Sequence, residues 1–283
     1  MSESICNSVA EVSLRAMLSE NQITLEVRAF LQTPSTNDEC FALAAAGAHQ
    51  PVAICADLQT KGRGRRGNRW DAKPGQSALL SLLLPGRDLS VETLSLAAGL
   101  AVADSVTLFT GRVPELKWPN DVLVDGRKLA GVLIETRANV KNPALTDYVI
   151  GVGINVLQKQ HDFPPELAER AVALNMISNQ FWDVPAVLVV LIKNLQQWCN
   201  PPAPVEKILS LWRSRCRMLG RHIRVSCAGH IIEGTVADID PLEGLIVRDY
   251  LGMNHACLAS QTTVLQDCPP GRMDDPLRPW CRP

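Results

Sequence analysis

The chain has 283 residues, 46% of them hydrophobic and 20% charged, with a formal net charge of −1. That length supports one sizeable core plus a smaller second domain, and the near-neutral balance argues against a general binder of nucleic acid or membrane surface, which needs a whole basic face. No uninterrupted apolar run approaches the ~20 residues of a membrane span, and residues 1–10 lack a cationic leader with an apolar core.

In chain order, residues 8–19 have the apolar spacing of a short amphipathic helix and 23–32 alternate as a strand. Pro34, Ser35, Thr36 and Asn37 supply turn and cap chemistry for an alanine-rich helix that ends near Gly47. Capping is the simplest use of those three small polar side chains, although a helix N-terminus also suits the polar end of a ligand. Residues 52–56 form a short buried strand. Residues 77–84 are almost all apolar and read as a strand covered on both faces. A long helix follows over 89–109, then 116–118, a hairpin over 122–135 and an apolar strand over 148–156, with loops at 137–147 and 158–164. Apolar spacing predicts helices over 165–178, 184–199 and 204–216, with Trp182 and Trp198 in the core. From Arg221 the texture changes to short strands (223–227, 231–239, 245–248, 256–259, 262–265), the pattern of a small β-barrel. Nine cysteines without a C-x-x-C pair fit reduced thiols in a cytoplasmic protein better than a disulfide framework or a zinc site.

Two stretches stand out chemically. Lys61 to Arg69 holds five cations, three glycines and no acid. Such a loop can wrap guanidinium and backbone groups around a phosphate or carboxylate; a solvated basic loop is the plain alternative. Its Gly62-x-Gly64-x-x-Gly67 spacing matches a dinucleotide fingerprint, but residues 68–76 are too short for the required helix and contain Pro74-Gly75. Further on, Lys117-Trp118-Pro119-Asn120-Asp121 precedes an Asp125-Gly126 hairpin signal. That hairpin folds Lys128 back toward Asn120 and Asp121, so amide, carboxylate and ammonium converge as a Mg²⁺-nucleotide site requires. An ordinary hairpin with a charged tip remains the alternative. No Walker A lysine, kinase catalytic loop or G-x-S-x-G elbow is present. The pattern favours a substrate carboxylate attacking the α-phosphorus of ATP, a step that needs charge neutralisation and alignment.

Gly62-Arg63-Gly64-Arg65-Arg66-Gly67 with Trp70 resembles the biotin-binding loop of the biotin protein ligases. Lys117 to Asp121 with Arg127-Lys128-Leu129-Ala130-Gly131 resembles that family's second signature, and Gly151-Val152-Gly153-Ile154-Asn155 its later strand. The resemblance runs from about residue 34 to 265. It implies a class II aminoacyl-tRNA synthetase-like α/β catalytic domain, a mixed sheet flanked by helices, over 31–217. An N-terminal extension (1–30) precedes it and an SH3-like barrel (218–268) follows it; residues 269–283, rich in proline and charge and without a counterpart in the family, are expected to form a disordered tail. It further implies that Ser35, Thr36, Asn37, Gln59, Gly62, Arg63, Gly64, Arg65 and Lys128 bind biotin. Arg66, Trp70, Lys117, Asn120, Asp121, Asn155 and Trp212 would serve the nucleotide, with Asp121 on Mg²⁺ and with Lys128 and Arg65 catalytic. The implied reaction joins biotin and ATP as biotinyl-5′-AMP, then passes biotin to a lysine of the biotin carboxyl carrier of acetyl-CoA carboxylase. Too few residues precede the first motif for the winged helix of the family's repressor members, so a ligase without DNA or membrane binding is expected, and homodimer formation is left open. Lipoate is the alternative substrate and an RNA-binding module the alternative class. Where the family's barrel often carries Gly-Glu-x-Ser, this chain reads Leu258-Ala259-Ser260-Gln261-Thr262.

Overall fold

The computed structural model describes residues 9–178 and 182–268, so the expected tail lies outside the described residues. The elements run α1 Val9–Glu20, β1 Glu26–Thr33, α2 Thr36–Ala45, β2 Val52–Gln59, β3 Ser77–Arg87, α3 Val91–Thr110, β4 Glu115–Lys117, β5 Asp121–Val124, β6 Arg127–Ala138 and β7 Thr146–Asn155. Four helices follow: α4 Pro165–Ala168, α5 Leu174–Ile177, α6 Val184–Cys199 and α7 Val205–Arg215. Five strands close the described chain: β8 His222–Cys227, β9 His230–Asp240, β10 Gly244–Arg248, β11 Asn254–Cys257 and β12 Thr262–Cys268.

The first seven strands form one mixed sheet in the order β1-β2-β3-β7-β6-β5-β4, with β1 and β2 parallel and every other pair antiparallel. The last five form a separate antiparallel sheet in the order β11-β10-β9-β8-β12, in keeping with the SH3-like expectation. β3 sits centrally and is buried over nine consecutive residues, as its continuous apolar run predicts. Leu80, Leu82 and Leu84 join the large core formed with α1, α3 and α6, whereas Leu83 joins Cys40, Phe41, Val52, Ile54 and Val149 beneath α2. α2 therefore covers only part of the second face, and the rest of that face is available as a cleft.

α3 is, by length and composition, apolar enough to cross a membrane, although Glu92 and Asp104 interrupt its apolar sequence. Here most of it is buried against the sheet, α6 and α7, as the core helix of a folded domain is. Trp198 on α6 donates to Asp104 of α3 at 2.9 Å, and Arg215 of α7 pairs with the same carboxylate at 2.8 Å.

The helix expected over 165–178 is instead two four-residue helices. Between them the backbone runs beside Lys128: Lys128 N–H donates to the Arg170 carbonyl at 2.7 Å, and Val172 N–H donates to the Lys128 carbonyl at 3.0 Å. Those pairings compete with the helical i→i−4 bonds and win, so apolar spacing alone misread the segment.

Candidate active site

The cleft, of about 390 Å³, lies on the α2 face of the mixed sheet and is roofed by the basic loop. Its floor follows from register. Gly131 of β6 faces Gly153 of β7, Leu133 faces Gly151, and Gly151 in turn faces Ser81 of β3. Side chains at these positions share one face of the sheet, and the glycines leave room for what lies above them. A Cβ on Gly151 would stand 2.5 Å from Asn37 Oδ1, and one on Gly153 would stand 2.5 Å from the Trp70 indole.

At the α2 end, polar groups are tightly organised. Ser35 occupies the N-cap position but makes no capping bond; Gln59 Oε1 accepts from Thr36 N–H at 2.8 Å and from the Thr36 hydroxyl at 3.1 Å. Capping, the simplest use of Ser35, is thus taken over by a side chain from β2, and Ser35 is left facing the cleft. Asn37 is fixed from both ends: Ser81 donates to its Oδ1 at 2.5 Å, and its Nδ2 donates to Glu135 at 2.6 Å.

At the other end stands the hairpin. Asp125 (φ 51°) and Gly126 (φ 73°) both adopt left-handed backbone, the two-residue primed turn that an Asp-Gly pair supplies. Register then slips: Leu123 pairs with Lys128 but Val122 with Ala130, so Leu129 is the extra residue of a β-bulge. The bulge resets the two-residue alternation and brings Lys128 onto the cleft face, beside Gly131. Lys128 Nζ lies 2.6 Å from Asp121 Oδ1 and 5.7 Å from the centre of the Trp70 ring. Asn120 is tied to β6 by its Nδ2 donating to the Val132 carbonyl at 2.8 Å, which leaves its Oδ1 as an acceptor.

The basic loop is itself a small hairpin, closed by Gly64 N–H donating to the Asn68 carbonyl at 2.7 Å and Trp70 N–H to the Gly62 carbonyl at 3.1 Å. Gly62 has no alternative, because a Cβ there would sit 2.5 Å from the Trp70 carbonyl oxygen. Arg63 forks onto Asp38 (2.8 and 2.8 Å) and reaches Glu135 (3.1 Å). The hydrogen bond to Arg63 is the main force holding the Asp38 carboxyl below its ordinary range, and the bond to Asp38 raises Arg63 correspondingly. Arg65 donates to the Ala259 carbonyl and Arg66 to the Thr263 hydroxyl, both on the second sheet's side of the cleft. Burial, with Arg66 next to it, pulls the Arg65 guanidinium below its usual value. The segment that departs from the family's barrel pattern is therefore part of the cleft, which Thr262, Thr263 and Val264 line.

Most expected site residues converge. Ser35, Thr36, Asn37, Gln59, Arg63, Gly64, Arg65, Arg66, Trp70, Lys117, Asn120, Asp121 and Lys128 all line the cleft. Gly62 lies in the loop's closing turn. Two residues stand apart. Trp212 on α7 is fully buried, packs against Gly99 and donates to the Leu96 carbonyl at 2.7 Å, so it is a core residue with no face toward a nucleotide. Asn155 is buried at the end of β7 and donates to the Val172 carbonyl, which holds the strand-like segment beside Lys128 from behind. Arg63 lines the cleft, but its charge is already committed to two carboxylates.

Sequence reasoning passed over Ser81, Asp38, Glu135 and Arg170. A serine set between the leucines of 79–84 was a usable signal for Ser81. Arg170 gave none, because its place in the cleft depends on the unanticipated break between α4 and α5.

The only carboxylate among the residues lining the cleft is Asp121, against seven lysines and arginines there. No group of three or more metal-type ligands occurs among the described residues. Asp121 with Asn120 Oδ1 fits a magnesium ion carried largely by nucleotide phosphates, the usual mode for Mg²⁺, and does not fit a protein-caged metal.

A mixed-sheet α/β domain with such a cleft, a short polar anchor at one end and a cationic far wall, suits an enzyme that activates an elongated acid. Comparison with known proteins specifies the class. Residues 29–155 match the biotin/lipoate A/B protein ligase family, and the chain belongs to that family. It is 37% identical to the biotin–[acetyl-CoA-carboxylase] ligase of Mycobacterium tuberculosis over 74% of this chain and 78% of that one. It is 31% identical to the bifunctional ligase/repressor of Bacillus spizizenii over 76% of this chain, and spans 66% of that protein's length. The biotin protein ligase of Aquifex aeolicus, solved with biotin and ATP, superposes with a TM-score of 0.70 at 25% identity, over 85% of this chain and 99% of that one.

Proposed function

We propose that the protein is an ATP-dependent, AMP-forming ligase that activates biotin as biotinyl-5′-AMP and transfers it to a lysine of a biotin carboxyl carrier of a carboxylase. The observation that supports this most directly is the pairing of Lys128 with Asp121 between a glycine floor and an arginine roof. Together they form a slot in which a carboxylate and a phosphate can meet one ammonium.

In this reading biotin's ring lies at the α2 end, where the Ser35 hydroxyl, Thr36, Asn37 and the Gln59 amide offer donors and acceptors. Its carboxylate extends along Gly151, Gly153 and Gly131 toward Lys128. A carboxylate oxygen attacks the α-phosphorus, the bond from that phosphorus to the β-bridging oxygen breaks, and pyrophosphate leaves. Lys128 stabilises charge on the carboxylate and the α-phosphate together; Arg65, Arg66 and Lys117 offset charge on the nucleotide side. Asp121 and Asn120 would hold the magnesium ion, which neutralises phosphate charge when bound. In the second half-reaction the carrier amine attacks the acyl carbon, a C–N bond forms, the anhydride C–O bond breaks and AMP departs. A closed loop keeps water from the anhydride until the amine arrives.

The deciding assay is pyrophosphate release from ATP and Mg²⁺ with biotin, with lipoate or with no acid. Release that depends on biotin supports the reading. Release with lipoate alone would keep the adenylation chemistry and change the substrate, and no release with either acid would sink the proposal.

A further inference from the structure

One cation of the cleft, Lys117, comes from β4, a strand of only three residues at the edge of the mixed sheet. Each residue of that strand is tied to the chain that forms or leads into the second sheet. Glu115 pairs with Arg217 at 3.0 Å. The Leu116 carbonyl accepts from Arg217 N–H at 3.0 Å. Lys117 Nζ lies 4.0 Å from Asp267 Oδ2 on β12.

Asp267 reaches that position through a second bulge. Val264 opposes Val225 but Gln266 opposes Arg224, so Leu265 is the extra residue of β12. The slip sets Asp267, opposite the buried Ile223, on the same face as Val264, which lines the cleft. There Asp267 Oδ1 accepts from Arg221 Nε at 2.5 Å, which fixes the carboxylate with Oδ2 toward Lys117. The Arg221 and Asp267 side chains are only 13% and 14% exposed, so water and salt screen this group of charges weakly.

We infer that Asp267 is a positioning residue, a carboxylate of the second sheet that holds the Lys117 ammonium at the cleft wall. At 4.0 Å the contact orients by charge and is longer than a hydrogen bond, so it leaves the Lys117 N–H donors to a phosphate oxygen. Arg221 balances the Asp267 charge, and the carboxylate steers Lys117 without presenting net negative charge to an anion. For the proposed ligase, on which this reading rests, the anion is the triphosphate of ATP. The second sheet then contributes to nucleotide affinity through a residue that does not touch the nucleotide.

Removing the Asp267 charge separates two roles by sign. A carboxylate that acted only as a nearby negative charge would, once neutralised, let a polyanion bind more tightly; one that positions Lys117 would, once neutralised, weaken that binding. The test is calorimetric binding of α,β-methylene-ATP with Mg²⁺ to the intact chain in the presence of biotin, a nucleotide in which the bond that adenylation breaks is blocked. Asp267→Asn is expected to raise its Kd about threefold to fivefold, the range of one partly exposed pair. Asp267→Glu, which keeps the carboxylate, stays within about twofold of wild type. Lys117→Gln weakens binding by itself, and adding Asp267→Asn to it causes no further loss, because Asp267 acts through Lys117. Asp267→Asn also leaves Arg221 without its carboxylate; the double variant Arg221→Gln/Asp267→Asn removes both partners, guards against simple loss of the fold and should show the same rise. Unchanged or tighter binding in Asp267→Asn would overturn the assignment, as would an equal further loss in the Lys117→Gln background. A wild-type chain that binds the analogue but releases no pyrophosphate with biotin would fault the ligase reading and leave the Asp267 comparison to stand. No binding of the analogue at all would overturn both.

Discussion

Gly151→Ala adds one methyl group to a strand yet should damage both stability and ligand binding. The new Cβ would lie 2.5 Å from Asn37 Oδ1, closer than real Cβ atoms approach, and at a tight 3.1 Å from Nδ2 and 3.2 Å from Cγ. Asn37 cannot simply step aside. It is buried, receives the Ser81 hydroxyl on one end and donates to Glu135 on the other. Overpacking of this kind costs about 1–3 kcal/mol, and loosening a hydrogen bond to a charged group costs about 1.5–3 kcal/mol. These overlap rather than add, so a fall of about 2 kcal/mol in unfolding free energy is expected in urea titrations. Biotin affinity by calorimetry should weaken at least about tenfold, since 1.4 kcal/mol corresponds to that factor. Gly131→Ala is the internal comparison. Its methyl would meet Lys128 Cε and Nζ and Trp70 Cζ3 at 3.3 Å, and the flexible end of a lysine can yield. Stability should fall by less than about 1 kcal/mol, while pyrophosphate release slows because Lys128 is displaced. A Gly151→Ala protein as stable as wild type with unchanged biotin affinity would refute the claim that Asn37 is fixed over the floor. So would a Gly131→Ala protein that is the less stable of the two.

Lys128→Ala should lower biotin-dependent pyrophosphate release by about a thousandfold and move the unfolding free energy by no more than ~0.5 kcal/mol, because the side chain is partly exposed at a strand end; retained release would remove its assigned role. Arg65→Gly should shorten the residence of biotinyl-AMP and label lysines of unrelated proteins, read by streptavidin blotting of a mixed sample, because the loop loses its hold on the Ala259 carbonyl. Trp212→Ala should cost about 3–5 kcal/mol of stability and leave KM for ATP unchanged below its unfolding temperature; a selective rise in KM would return that residue to the nucleotide site. The Asp38 carboxyl is held below its ordinary 3.8 first by the hydrogen bond from Arg63. Its folded pKa is the lower one, so its contribution is complete above 3.8 and is lost as pH falls through the depressed value. The stability difference between wild type and Asp38→Asn, at most about 1 kcal/mol for a pair this exposed, should persist from pH 7 to 5 and close below 3.8; a difference that vanishes near pH 6 would contradict the pairing.

What the sequence displayed and what it concealed divide along physical lines. Lys128 was legible because Asp125-Gly126 dictates a hairpin, and a hairpin fixes which residues return to Asp121. Its cleft-facing orientation was not, since a two-residue alternation from the turn would have placed Lys128 and Gly131 on opposite faces, and only the extra Leu129 brings them together. The glycines of 151–153 were visible as a motif, but their purpose depends on Asn37 and Trp70 lying above them, contacts between segments far apart in the chain. Trp212 marks the opposite failure: the resemblance assigns it to the nucleotide side, whereas in the fold it is buried against Gly99 and bonded to the Leu96 carbonyl. Arg63 is the most instructive case. A count of cations makes every arginine in the loop a ligand for an external anion, yet this one is neutralised internally by acids 25 and 72 residues away. Counting charge along the chain finds where anions can be held; deciding which cations remain available needs the partners that folding brings to them. By that measure Arg65 and Arg66, which donate to neutral acceptors, remain available to an external anion, whereas Arg63 is engaged by Asp38 and Glu135.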